Sequence, residues 1–147
     1  MIIFETTGDI FESELQTIAC PVNTTGVMGN GLALAFKNRF PGLLVDYRRD
    51  CLNDAFADQR FTVNTYAGRQ VMCFPTKRHW RDASNLADIR RTLMRIGRYY
   101  RHYDITSLAL PAVGCGKGGL HFDDVRTLIF DVLQNCELQV GIYWPTN

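Results

Sequence analysis

A chain of 147 residues, 46% apolar and 21% charged, has the length and composition of one globular domain with its own core. No apolar run approaches a membrane span, and the N-terminus, MIIFETTGDIF, lacks the basic segment that opens a secretory signal. A net charge of +1 names no partner, and five cysteines without a CxxC pair and three histidines without ligand spacing argue against a disulfide framework and a zinc site, so reduced thiols in a cytoplasmic protein are expected.

In chain order, residues 1–5 read as a first strand that ends at Thr6-Thr-Gly-Asp9. Residues 17–22, TIACPV, form a continuous apolar run, as a buried strand does. A loop over 23–30 leads into a helix over 31–40, stopped by Pro41, and a second helix follows over 42–53 with Leu43, Leu44 and Tyr47 at helical spacing. Residues 61–67 and 70–74 read as strands turned by Gly68-Arg69, the second closed by Pro75. Over 85–103, Ile89, Leu93, Ile96 and Tyr100 share one face of a helix and Arg91, Arg95, Arg98 and His102 another. A short buried strand at 107–110, a helix at 122–134 with Asp123 and Asp124 in its first turn, and a strand at 139–144 complete the chain. Alternating strands and helices with one hairpin predict an α/β fold, a mixed sheet covered on both faces.

Two glycine-rich stretches stand out. GVMGNGLALAFK (26–37) places three glycines in six residues before a helix, and PAVGCGKGGL (111–120) repeats the arrangement after the strand at 107–110. Glycine this dense is entropically costly and needs a reason. Either stretch alone can be a tight turn. Two strand–glycine loop–helix units, however, place both loops at the carboxyl edge of one sheet, where bare amides and helix N-termini suit a diphosphate. Gly114, Gly116 and Gly119 match GxGxxG only formally, because no acid ends the next strand. Lys117 is followed by Gly118, so a Walker A motif is absent.

From 77 to 102, eight Lys or Arg residues face only Asp82 and Asp88, a local charge of +6 that leaves −5 for the rest. This segment is either a solvated basic helix or a face that meets an anion or nucleic acid.

Gly8-Asp9-Ile10 after the first strand, Val22-Asn23 before GVMGNGLALAFK, and LPAVGCGKGGL before an amphipathic helix together resemble a macrodomain, the ADP-ribose-binding module, in the right order over nearly the whole chain. The resemblance implies a three-layer α/β/α fold with a mixed, mostly parallel central sheet of about six strands, in one domain over 1–147. FPTKRHWR (74–81) is similar to the catalytic-lysine segment of the DNA ADP-ribosyl glycohydrolase antitoxins (DarG-like), a group related to the terminal ADP-ribose protein glycohydrolase. By that resemblance Asp9 and the Ile10 amide read the adenine beside Gly8, and Asn23 sits by the distal ribose. Met28, Gly29, Asn30, Gly31 and Leu32 line one side of that ribose and the diphosphate. Pro111, Val113, Gly114, Cys115, Gly116, Lys117, Gly118, Gly119 and Leu120 wrap the diphosphate from the other side, and Tyr143 packs near the adenine or its ribose. Lys77 is the implied catalytic group, with Asn23 beside it. The related protein glycohydrolase pairs its lysine with an aspartate, and Gly118 stands at that place here. The antitoxins carry a further toxin-binding domain, so the chain is expected to be either a stand-alone protein or part of a larger one.

The bond to be broken joins the anomeric carbon of the distal ribose to a base or side chain, through oxocarbenium character. Lys77 can act as a neutral amine that attacks the sugar, or as an ammonium that protonates or polarises the leaving group. The plainer alternatives are a surface lysine at 77, a turn or cap at Asp9, an Asx-turn at Asn23 and a core anchor at Trp80. If Lys77 is catalytic, Arg78, His79, Trp80 and Arg81 border the reacting bond, where arginines meet backbone phosphates and rings stack on bases. The leading expectation is a hydrolase that removes ADP-ribose from modified, single-stranded DNA, reversing the action of a DNA ADP-ribosyltransferase toxin. It needs no cofactor or metal and works as a monomer away from membranes. A hydrolase of ADP-ribosylated acidic side chains or O-acyl-ADP-ribose, and a non-catalytic ADP-ribose-binding module, remain the alternatives.

Overall fold

The computed structural model describes residues 2–145, so Met1 of the expected first strand lies outside the described residues. Six strands form one sheet: β1 (Ile2–Thr6), β2 (Thr17–Asn23), β3 (Thr62–Tyr66), β4 (Arg69–Lys77), β5 (Ser107–Pro111) and β6 (Gln139–Tyr143). Their order is β1-β6-β5-β2-β4-β3. All neighbours are parallel except β3, which runs antiparallel to β4 at the edge. The hairpin turns at Ala67 and Gly68, whose φ of 49° and 81° suit a turn with two left-handed residues.

Helices α1 (Gly31–Arg39) and α2 (Leu43–Leu52) cover one face of the sheet, and α3 (Leu86–Tyr99) and α4 (Phe122–Leu133) the other. β2 shows how period-two geometry fills both layers. Ile18, Cys20 and Val22 pack with Phe36 of α1 and Leu43 and Tyr47 of α2, whereas Ala19 packs with Ile89, Leu93 and Ile96 of α3 and Ile129 of α4. Because both faces are covered, β2 and β5 read as unbroken apolar runs rather than alternating ones.

Two boundaries differ from the sequence reading by more than one residue, and the hairpin turn, expected at Gly68-Arg69, lies one residue earlier. Pro75 does not close β4, which continues to Lys77. β3 reaches only as far as the Thr62–Cys73 pair, so beyond Cys73 that flank of β4 has no strand partner and a proline without an N–H is tolerated there, its carbonyl accepting from Gln59 Nε2 at 3.2 Å. On the other flank β2 keeps pace, pairing Val22 with Pro75 and, after an irregularity, Asn23 with Lys77. The second difference is α3, which ends at Tyr99 instead of running to 103. The Ile105 amide turns back onto the Tyr100 carbonyl (2.9 Å), with Asp104 left-handed. No described helix is long and apolar enough to cross a membrane.

Candidate active site

Five parallel strands end at one edge, and each ends on a segment that the sequence singled out: Gly8-Asp9-Ile10 after β1, Asn23 on β2, Lys77 on β4, Pro111 on β5 and Tyr143 on β6. Across that edge lies an open cleft of about 560 Å³. With strands about 4.8 Å apart, it spans roughly 19 Å from β1 to β4, enough for an extended dinucleotide-sized ligand.

At the β1–β6 end, Asp9 caps a 3-10 turn, its Oδ1 accepting from the Phe11 amide at 2.9 Å. The cap expected as the plain alternative is therefore present, yet Asp9 also lines the cleft. Its Oδ2 and the Ile10 N–H have no protein partner among the described residues. Tyr143 is fixed by donating to Ser13 Oγ at 2.8 Å and by edge contact with Phe4.

The first glycine loop is held from beneath. Asn23 is 7% exposed, and its Oδ1 faces donors from Thr25 N and Thr25 Oγ1 (3.0 Å each), Val27 N (3.4 Å) and Tyr47 OH (2.7 Å). Its Nδ2 donates to Val27 O at 2.8 Å. The Asx-turn is real, and it leaves Asn23 one Nδ2 hydrogen to offer, a donor and not an acceptor. Gly26 is fastened by its amide to Tyr47 OH (3.2 Å) and by its carbonyl to Arg48 Nε (3.0 Å). Above these bonds, the Gly29 and Asn30 amides have no acceptor among the described residues. Asn30 makes no side-chain cap, so the first turn of α1 opens uncapped onto the cleft.

The second loop turns on itself through Leu120 N to Gly114 O (3.0 Å) and Gly119 N to Gly116 O (3.2 Å). The amides of Gly116, Lys117 and Gly118 are left without acceptors among the described residues, three in succession, as in an anion nest. A Cβ at Gly118 would lie 2.4 Å from the Gly114 carbonyl oxygen and 2.4 Å from Ser84 Oγ, so no side chain fits there. The missing aspartate is thus a property of the loop's path and not an isolated substitution.

Lys77, half-buried at the end of β4, lines the cleft, and its side chain has no hydrogen-bond or ion-pair partner among the described residues. Among the described residues the cleft's cations are Lys77 and Lys117 and its one carboxylate is Asp9, at the end opposite Lys77. Trp80 is no core anchor. It is 42% exposed, lines the cleft, stacks on His79 (5.5 Å) and lies under the Arg81 guanidinium (4.6 Å). Thr24 ties this turn to β2, its amide donating to the Arg78 carbonyl at 2.9 Å. Along α3 and beyond, Arg90 pairs with Asp131 (3.0 Å), Arg91 and Arg95 with Asp58, and Arg101 with Glu137 (2.7 Å). Arg78 and Arg81 have no such partner among the described residues.

Seven expected site residues do not form the cleft wall. Met28 and Val113 are buried in the two core layers, and Leu120 packs against the second of these. Gly119 belongs to the loop's far turn, and Arg78, His79 and Arg81 stand outside the wall beside Trp80. Sequence reasoning missed Ser84, Phe122 and Trp144, which do line the cleft. Phe122 packs on Trp144 at 5.5 Å, and both flank the sheet edge already identified, so the position of the final strand's end was the available signal. Among the described residues no three His, Cys, Asp or Glu side chains converge as metal ligands.

The Macro domain family model matches residues 19–129. The DNA ADP-ribosyl transferase–DNA ADP-ribosyl glycohydrolase fusion protein of Thermosipho africanus is 37% identical over 94% of this chain, which covers 40% of that protein. The macrodomain of Mycobacterium tuberculosis DarG superposes with a TM-score of 0.91 at 31% identity, covering 99% of both chains. Thermosipho africanus DarTG in complex with ADP-ribose also superposes at 0.91, with 34% identity, over 98% of this chain and 42% of that one. The chain therefore spans about two fifths of the length of the curated relatives it matches. Sheet order, cleft position and a family match over most of the sequence agree, and the chain belongs to the macro domain family.

Proposed function

We propose that this domain binds ADP-ribose across the five strand ends and hydrolyses the bond that joins it to a DNA base, with Lys77 as the catalytic group. The observation that carries the reading is the separation of charge along the cleft. Free amides and an uncapped helix start fill its middle, Lys77 stands at the β4 end without a carboxylate partner, and Asp9 stands at the β1 end. A diphosphate in the middle leaves adenine for Asp9 and the Ile10 amide, and brings the distal ribose to Lys77 and Asn23. The names of the relatives agree: one is a DNA ADP-ribosyl glycohydrolase fused to the transferase, and a solved structure holds ADP-ribose. The partner enzyme that makes the substrate is accordingly a DNA ADP-ribosyltransferase.

Hydrolysis places the hydroxyl of water on the anomeric carbon and its proton on the departing base. Lys77 serves either as an amine, bonding to the sugar carbon before water displaces it, or as an ammonium that gives its proton to the base. The Asn23 oxygen is occupied within its own loop, so Asn23 acts as a donor to a sugar hydroxyl. The backbone contact at Gly118 speaks against an acid-assisted dyad of the protein-directed kind. The test is incubation with ADP-ribosylated single-stranded DNA and, separately, ADP-ribosylated protein. DNA should lose the mark, and Lys77→Ala should lower that rate by about 10²–10⁴-fold while ADP-ribose still binds. Release from protein alone, or full turnover by Lys77→Ala, refutes the reading.

A further inference from the structure

Three buried side-chain polar atoms have no partner among the described residues: Thr62 Oγ1, Arg69 Nε and Ser84 Oγ. Of these, Ser84 alone lines the cleft, and it is only 7% exposed. A buried hydroxyl without a partner is unfavourable unless water or a ligand satisfies it. Its position is fixed on both sides. The Ser84 amide donates to the Gly118 carbonyl at 3.0 Å, and Asn85 then caps α3 by accepting from the Asp88 amide at 2.9 Å. The hydroxyl occupies the space into which a side chain at 118 would project, since a Cβ built there falls 2.4 Å from Ser84 Oγ.

What it meets follows from its neighbours. Ser84 lies on the connection that leaves β4 after Lys77 and Trp80, and its amide bond to Gly118 seats it against the second glycine loop. All of these residues line the cleft. A hydroxyl both donates and accepts, which suits a sugar hydroxyl. We propose that Ser84 Oγ hydrogen-bonds a hydroxyl of the terminal ribose and so orients the sugar whose anomeric carbon faces Lys77. This assignment rests on the ADP-ribose reading of the cleft.

The probe is Ser84→Ala, which removes the oxygen and leaves the loop bond made by the Ser84 amide. Calorimetry with ADP-ribose should show affinity about tenfold lower than for the unaltered protein, the loss of one well-formed hydrogen bond. Affinity for ADP, which has no terminal ribose, should be unchanged. The unliganded variant should melt no lower than the parent, because the deleted group had no protein partner. An equal loss on both ligands overturns the assignment, as does no loss on ADP-ribose. A lowered melting temperature together with lost binding overturns it too, by making Ser84 a support of the loop. Failure of the unaltered protein to bind ADP-ribose sinks the functional reading itself, an outcome distinct from any behaviour of the variant.

Discussion

Tyr47→Phe tests whether the first glycine loop is held by the core beneath it. Tyr47 is 1% exposed on α2, and its hydroxyl lies 2.7 Å from both the carbonyl and the side-chain oxygen of Asn23, while accepting the Gly26 amide at 3.2 Å. Burial pushes the phenol well above its ordinary value, so it stays a donor throughout the working pH range. Phenylalanine keeps the ring and its contact with Phe56 at 6.0 Å but loses the oxygen. The variant forgoes one donated bond and strands the buried Gly26 N–H, which together are worth about 2–3 kcal/mol. For a domain of this size, that lowers the melting temperature by about 5–10 °C. Arg48 and the Asn23 carboxamide still tether the loop, so the domain folds and ADP-ribose binds more weakly. Urea unfolding measures the first effect and calorimetry the second. Unchanged stability refutes the clamp. Unchanged stability with abolished binding would move the hydroxyl's role from the loop to the ligand.

Gly116→Val should fold normally and lose ADP-ribose, because a Cβ there meets nothing within 4 Å and projects into open space, whereas Gly118→Ala should lower the melting temperature through its backbone clash; equal stabilities would contradict the loop geometry. Replacing Arg78 and Arg81 with alanine should weaken action on modified DNA and flatten its salt dependence, with free ADP-ribose affinity intact; equal loss of both would place them in the ligand pocket. Lys77→Arg keeps a cation that cannot become a neutral nucleophile, so inactivity equal to Lys77→Ala supports covalent attack, and partial rescue measured with ADP-ribosylated DNA supports the ammonium role. Burial pushes the Cys73 thiol up to about 12 and raises Cys20 as well, from an ordinary 9.0. Both stay protonated in the fold where the unfolded chain has ionised, so stability is full below about pH 9 and declines above it; a urea midpoint flat to about pH 10.5 contradicts this.

The strands and helices were legible because each carries its own pattern: the unbroken TIACPV run, the glycine of the hairpin turn, and the apolar stripe of α3. Pro75 misled because a proline's effect depends on what lies beside it. Nothing in the residues says that β3 stops pairing at Cys73 and so leaves β4 without a strand neighbour on that flank. The same accident of register carries Lys77 to the cleft. The glycine loops could be placed from chain order alone, yet Met28 and Val113 show the limit of reading a loop as a block. Within one turn of such a loop, adjacent side chains point to core and cleft alternately, and composition does not reveal which.

The charge of the 77–102 segment shows why site chemistry needs the fold. Counted along the sequence, +6 looks like a continuous basic face. In space, acids from distant segments dismantle it. Asp58 meets Arg91 and Arg95, Asp131 meets Arg90 and Glu137 meets Arg101, so the exposed side of α3 is largely a set of surface pairs. Such exposed pairs add little stability, but they cancel the field that an approaching phosphate would feel. Among the described residues, the cations at and beside the cleft without a carboxylate partner are Lys117 on the second glycine loop and Lys77, Arg78 and Arg81 at the β4 end, and Asp9 stands at the opposite end. Under the proposed function, an anionic strand would meet the turn after β4 rather than the helix, beside the exposed ring of Trp80 and the Lys77 side chain. The acids that pair with Arg90, Arg91 and Arg95 thin the charge of α3, and three unpaired cations, Lys77, Arg78 and Arg81, cluster at the β4 end of the cleft.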